Sequence, residues 1–452
     1  MFKKIEAWVL YLVIVFSLLF TIGFAGLVHQ EIMGTRKLGK VSKFAVYISK
    51  LPVQFLKIVL NKNEFMVVDR FPELEGFSGE PHEEKIFLLL SSYNLDLKQS
   101  IVELVDLRNF TTLHTWNPKF NDYNKLVDQK DEFRFLDRDK NDNRSLAHHP
   151  FLTQDGGLLI NDGVLNKIDS CSNLIWQSSH DWFHHSLEVD SENNIWVPTH
   201  LFPSNMDKNI VGMNDQSNGG FLDDAIVKIS NDGKIIFEKS VSQIFMDNQL
   251  EPLLFSVGIP NIPSDPIHLN DIQPVLEDSA FMRKGDVFLS FRHQSMIILY
   301  RPETDKIIWK GFGVFFHQHD VDILSRNKIS IFNNNSKNGM NGAFVDGHNE
   351  VIVYDFLKNE YSSYMKNSLA LHKVKTQTQG LSEILPNGDL FIEETNFGRT
   401  LYFNRDGQLK WSYLNRSSDG KVGTVAWSRL LHTPSDLLKV KNFLASKVEC
   451  ND

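Results

Sequence analysis

The chain has 452 residues, 42% hydrophobic and 12% aromatic, enough for a large buried core and too apolar for a disordered chain. Its net charge of −9, from 47 basic and 56 acidic residues, gives no basic field of the kind nucleic acid requires, so nucleic acid is excluded as a partner. Cys171 and Cys450 are the only cysteines, too few for a disulfide framework or a Cys-x-x-Cys metal or redox site.

Trp8 to Val28 is an uncharged run of 21 residues, long enough for a membrane-spanning helix and longer than the apolar core of a typical signal peptide. Residues 1–30 therefore read as an uncleaved N-terminal transmembrane anchor, which makes the protein single-pass and the membrane one of its partners. Lys3 and Lys4 flank one side and Arg36, Lys37, Lys40, Lys43 and Lys50 the other, so positive charge does not fix the orientation. The domain that follows is expected on the periplasmic or extracytoplasmic side. Residues 31–83 read as a membrane-proximal connecting segment, with Phe44, Tyr47, Ile48, Leu51, Phe55 and Ile58 near helical spacing.

From about Glu84 the pattern changes to short runs rich in Val, Ile and Phe, separated by Asn, Asp and Gly turns, which is the mark of an all-β fold. The runs come in triplets, such as those beginning at Gly285, Ser295 and Lys306, or at Gly388, Thr400 and Gln408. Several triplets end in a tryptophan: Trp176, Trp309 and Trp411. Units start near 85, 149, 185, 270, 319 and 380, which predicts a six-bladed β-propeller over 84–452. Spacings of 49 to 85 residues between the later starts require inserted loops, placed at Leu201 to Gly220 and Val241 to Pro266. Val422 to Leu444 is left to close the ring and end in a helix.

Four segments repeat one apolar frame behind a changing polar residue: those opening at His185, Asn270, His319 and Gly380, with a weaker copy at His149. The first strand of each propeller blade lines the central channel, so these residues are expected at one level. Strand side chains alternate faces, which brings His268 and His317 to the same side two residues earlier. On the next strand, Arg292 falls in register with His200 and Asn334. An arginine at the end of an apolar strand needs an anionic partner, and no carboxylate occupies the matched positions, so a bound oxyanion is the candidate.

The ordered set His268-Leu-Asn270, Ser290-Phe-Arg292 and Gln318-His319-Asp320 resembles the arylsulfate sulfotransferase family, over about Pro150 to Leu431. The resemblance implies a six-bladed propeller that moves a sulfuryl group from an aryl sulfate to a phenol by a ping-pong route, with no nucleotide sulfate and no cofactor. It implies His319 as the nucleophile, carrying a transient sulfohistidine, with His268, Asn270 and Arg292 around the sulfuryl oxygens. A further histidine from an earlier blade is expected; His185 matches by register, and His184 and His180 stand as alternatives. The implied partners are a small-molecule aryl sulfate and a phenol, and the oligomeric state is not specified. A metal-dependent propeller hydrolase and a non-catalytic propeller that binds an anion are the competing readings. The histidines at 180, 184 and 185 have metal-like spacing, but no carboxylate is evident beside them, so no metal is assigned.

Overall fold

In the computed structural model, residues 6–32, 38–59, 63–128, 130–207, 221–256, 263–340, 342–446 and 450 are described. The chain forms two compact units, one with the two N-terminal helices and one with the sheets.

The helical unit contains Ala7–Ile32 and Lys40–Val59, the latter with Pro52 in its interior. Ala7–Glu31 is the one helix among the described residues long and apolar enough to cross a membrane, a property that signal sequences share. Its exposed side chains include Leu10, Tyr11, Phe16, Leu19 and Phe20, an all-apolar surface that suits hydrocarbon better than water.

The second unit is mostly β, with strands arranged in a propeller-like series of antiparallel sheets. Four sheets stand separately. One joins Phe87–Asn94, Gln99–Asp106 and Thr111–Trp116 to the C-terminal strand Arg429–Leu431. The second is Leu269–Pro274, Val287–Phe291, Met296–Arg301 and Lys306–Phe312. The third is Val321–Ser325, Lys328–Asn333, Glu350–Asp355 and Glu360–Tyr364. The fourth runs from Leu381–Ile384 through Leu390–Glu394, Arg399–Phe403 and Leu409–Leu414, and gains Gly76–Gly79 at its edge. The ring closes as the sequence suggests, because a strand from the chain's end completes the first sheet.

The six-blade expectation needs correction at the level of sheets: four stand separately and a fifth, larger sheet takes the place of two. The units expected at 149 and 185 fuse into one seven-stranded sheet. The cause is the ten-residue strand Leu174–Phe183, whose last residues Trp182 and Phe183 pair with His200 and Thr199 of Ile195–Leu201. Gly163, at φ +87°, faces Phe183 across the other edge and lies against the Trp182 ring, a close approach that a side chain would obstruct. Two strand edges that would otherwise stay unpaired therefore bond to each other. Of the loops expected as insertions, 208–220 and 257–262 lie outside the described residues; the second also contains the short helices Val241–Asp247 and Pro252–Phe255.

One device ties neighbouring innermost strands together. His149 Nδ1 accepts from the Leu187 N–H at 3.3 Å and Ser186 Oγ from Ile272 at 3.1 Å. Asp271 accepts from Val321 and Asp320 from Ser382, each at 2.8 Å. Leu187, Ile272, Val321 and Ser382 are the equivalent positions of the four repeats, so these bonds reproduce the register deduced from the apolar frame. Burial pushes the adjoining His148 down to about 4 and His149 well below its ordinary value. At Gly380 a Cβ would come within 2.6 Å of Thr376 Cγ2 and 2.7 Å of Phe332 Cε1, so the chain packs closely there.

The cysteines, too few for a framework, do pair: Cys171 and Cys450 form a disulfide across 279 residues. The helix Pro434–Ala445 makes this possible by burying Val440 and Phe443 against Trp116, Leu158 and Ile168, which brings the tail to the Cys171 turn.

Candidate active site

Three of the histidines that the repeat register places around the central channel lie close together. The His185 ring centroid lies 5.1 Å from that of His268 and 6.2 Å from that of His319. Trp427, from the segment that closes the ring, caps them at 6.4 Å from His185 and 6.2 Å from His319. The backbone that delivers several of these groups is left-handed: φ is +55° at His185, +56° at His268, +50° at His317, +58° at Gln379 and +56° at Trp427. Such non-glycine conformations cost energy and persist where surrounding packing imposes them, often at functional sites.

His319 is 1% exposed and both of its ring nitrogens are partnered. Its Nδ1–H donates to Asn334 Oδ1 at 2.6 Å, while Asn334 Nδ2 donates to the carbonyls of Thr376 and Gln379, which fixes the amide orientation. The lone pair is thereby placed on Nε2, where it accepts from the Gln379 N–H at 3.0 Å. Burial, and behind it the Arg292 guanidinium, hold the His319 pKa well below the ordinary histidine value, so the ring is neutral.

His268 is held differently. Its Nδ1–H donates to Asp265 Oδ2 at 2.5 Å, and its side chain is 27% exposed. A carboxylate on Nδ1 fixes that nitrogen as the donor and leaves Nε2 as the lone-pair nitrogen.

Arg292 has no carboxylate within ion-pair distance among the described residues. Its Nη1 meets His293 Nε2 at 2.7 Å and its Nε is buried without a partner. Burial lowers its pKa, with Asp265 opposing, yet an arginine keeps its charge. Asn270 Oδ1, Gln318 Oε1 and Asp265 Oδ1 are likewise buried without partners. Groups left like this in a native fold call for a ligand, an ion or water.

The remaining predicted residues separate. Asn270 is fully buried and gives its Nδ2 to the Gln318 carbonyl at 2.8 Å, joining adjacent sheets. His184 touches His185 through Nδ1–Nδ1 at 2.8 Å and belongs to the cluster. His180 does not; it is half-exposed and pairs with Glu238 at 3.0 Å. His317 bonds the Ser336 carbonyl through Nδ1 at 2.7 Å. A groove of about 390 Å³ bounded by Asp190, Trp196, Lys228, Asp286 and Arg301 contains none of these histidines.

Sequence reasoning assigned no role to Asn334, Gln379, Asp265 or His293. Asn334 had a signal, because it shares the register position of Arg292 and His200. Gln379 acts through its backbone and carried none.

Among known families, the model described as Arylsulfotransferase (ASST) matches residues 123–416. No curated protein matches the chain. Similar solved structures include a protein of unknown function from Bacteroides caccae (10% identity, 77% of this chain and 98% of that one, TM-score 0.45). Another is the Pan2 WD40 domain of Neurospora crassa (10% identity, 74% and 78%, TM-score 0.38). Likenesses this remote carry no functional weight.

Proposed function

The chain belongs to the arylsulfotransferase family, and from that premise we propose that it moves a sulfuryl group from an aryl sulfate to a phenol through a sulfohistidine on His319, without a nucleotide sulfate. Family membership supports sulfotransferase activity in general. The observation that carries the finer reading is a neutral imidazole with its lone pair fixed on Nε2, beside an arginine with no carboxylate partner.

In the first half-reaction His319 Nε2 attacks sulfur, the N–S bond forms and the S–O bond to the aryl group breaks. Protonated His268 gives its Nε2 proton to the departing phenolate, with Asp265 on Nδ1 stabilising the imidazolium. The Gln379 N–H, displaced from Nε2, is then positioned for a sulfuryl oxygen. Arg292 supplies the fixed positive charge toward the same oxygens, and His185 a further ring at the same level. Asn334 holds the His319 Nδ1–H throughout. Asn270 positions the strand that carries His268. In the second half-reaction the acceptor phenol attacks sulfur, N–S breaks, and neutral His268 takes the phenolic proton, so the enzyme returns to its starting state.

We read the protein as anchored by its N-terminal helix with the β unit outside the cytoplasm. The apolar Ala7–Ile32 helix supports the anchor and the Cys171–Cys450 disulfide supports an oxidising compartment. We also read the seven-stranded sheet as two fused blades in a ring of six. Six left-handed residues, His149, His185, His268, His317, Gln379 and Trp427, lie at or beside the innermost strands and support that count.

The test is turnover of 4-nitrophenyl sulfate with and without added phenol, together with mass spectrometry for a labile sulfuryl adduct on His319. Release that depends on the acceptor, and an adduct absent from His319→Ala, are expected. Acceptor-independent release would make the protein a sulfatase, and binding without turnover a non-catalytic anion receptor.

A further inference from the structure

A second cluster beside the site has the composition and spacing of a metal centre. His200 and Asp224 are direct cross-strand partners on Ile195–Leu201 and Asp223–Ile229, and His184 follows the end of Leu174–Phe183. Asp224 Oδ1 lies 3.2 Å from His200 Nε2 and 3.4 Å from His184 Nε2. Zinc bonds of about 2.0–2.1 Å in tetrahedral geometry give ligand-to-ligand separations of about 3.3–3.4 Å. Asp224 is fully buried, and its Oδ1 and His184 Nε2 face each other without a well-aligned hydrogen bond.

The surrounding bonds orient these atoms as ligands. Asp224 Oδ2 accepts from the Leu269 N–H at 3.1 Å, which leaves Oδ1 for another partner. His184 reaches His185 through its Nδ1, so a proton on His184 Nδ1 puts its lone pair on the Nε2 that faces Asp224. A partner on the second imidazole nitrogen fixes the tautomer and ring orientation of a metal-bound histidine, a role that a carboxylate, carbonyl or water usually fills and His185 fills here. The nearby trio Asp265, His268 and His293 differs, because there the nitrogens nearest Asp265 are already bonded to it: His268 Nδ1 to Oδ2 at 2.5 Å and His293 Nδ1 to the Asp265 carbonyl at 2.7 Å.

We propose that His184 Nε2, His200 Nε2 and Asp224 Oδ1 bind one divalent transition metal of the zinc class, one hydrogen bond away from His185. Three protein ligands leave a fourth position for water or an anionic oxygen. The site is reachable, since the His184 and His200 side chains are 13% and 16% exposed. This inference stands apart from the sulfuryl-transfer reading, because it concerns binding and needs no turnover.

The experiment uses the full chain in detergent, stripped with a chelator and titrated with Co²⁺, whose visible spectrum reports tetrahedral nitrogen and oxygen ligation; Zn²⁺ stoichiometry after reloading is measured by elemental analysis. One equivalent per chain and a tetrahedral Co²⁺ band are expected. Asp224→Asn and His200→Ala should each weaken binding by more than the about 10–100-fold that loss of an outer partner costs. His180→Ala, outside the cluster, should bind like the native chain. Asp224→Asn keeps the shape and the Leu269 contact, and circular dichroism checks its fold. A native chain without stoichiometric metal, or Asp224→Asn and His200→Ala proteins that bind normally, would overturn the proposal.

Discussion

His319 and His268 both neighbour His185 and are built in opposite ways. His319 is buried, neutral, and bonded on both nitrogens to an amide and a backbone N–H. His268 is part-exposed, with a carboxylate on one nitrogen. The difference teaches how one residue type can serve two roles. Burial and a nearby guanidinium suppress protonation of His319 and suit a nucleophile, whereas the carboxylate on His268 Nδ1 fixes that ring's orientation and leaves its Nε2 open. Register alone treats the two as equal.

The largest effect should come from the buried ring. His319→Ala is expected to lower transfer by about 10⁴-fold or more and to remove the adduct, as loss of a nucleophile does. His268→Gln should cost about 10²–10⁴-fold in steady-state transfer. Because 4-nitrophenolate departs without protonation, that variant should still accumulate adduct on His319 in a rapid-quench experiment. The reverse outcome, adduct lost in His268→Gln and kept in another His319 variant such as His319→Asn, would exchange the roles.

Removing the cation is expected to weaken both half-reactions. Arg292→Gln should lower kcat by about 10²–10³-fold, the cost of one preorganised oxyanion donor, measured as initial rates with saturating donor. Arg292→Lys should not restore the rate, because an ammonium cannot present the planar fork.

The smallest effect separates the site from its supporting strands. Burial raises Asp271 from 3.8 to about 7. A folded pKa above the unfolded one contributes stability that is present below the unfolded value and lost as pH rises through the folded value. Asp271→Asn keeps an acceptor for the Val321 N–H and removes this dependence. Relative to the native chain, its melting temperature should therefore rise between about pH 4 and about pH 7, read from thermal melts at both ends.

Much of this site is legible in the sequence. The apolar frame behind His185, Asn270 and His319 is periodic, and the bonds from Ser186, Asp271 and Asp320 to the next strand follow the same register. Arg292 announces itself as a cation without a matched acid, and its Nε is buried without a hydrogen-bond partner. What the pattern does not contain is direction. Asn270 opens its repeat as His319 does, yet its donor is committed to Gln318 O. His184 and His185 are neighbours in the chain, but only their backbone path sends one toward Asp224 and the other toward His268 and His319.

By itself the sequence determined an apolar N-terminal helix, a long all-β region of repeated strands, and the histidines, asparagine and arginine that assemble at one end of those repeats. Local periodicity is enough for that, because alternation and turn chemistry act over a few residues. Only the tertiary structure decided that two expected blades share one sheet, that Cys171 meets Cys450, and that Asn334, Gln379, Asp265 and Asp224 complete the two clusters. Those are contacts between segments far apart in the chain, set by cross-strand register, strand curvature and helix docking, and no short-range pattern encodes them.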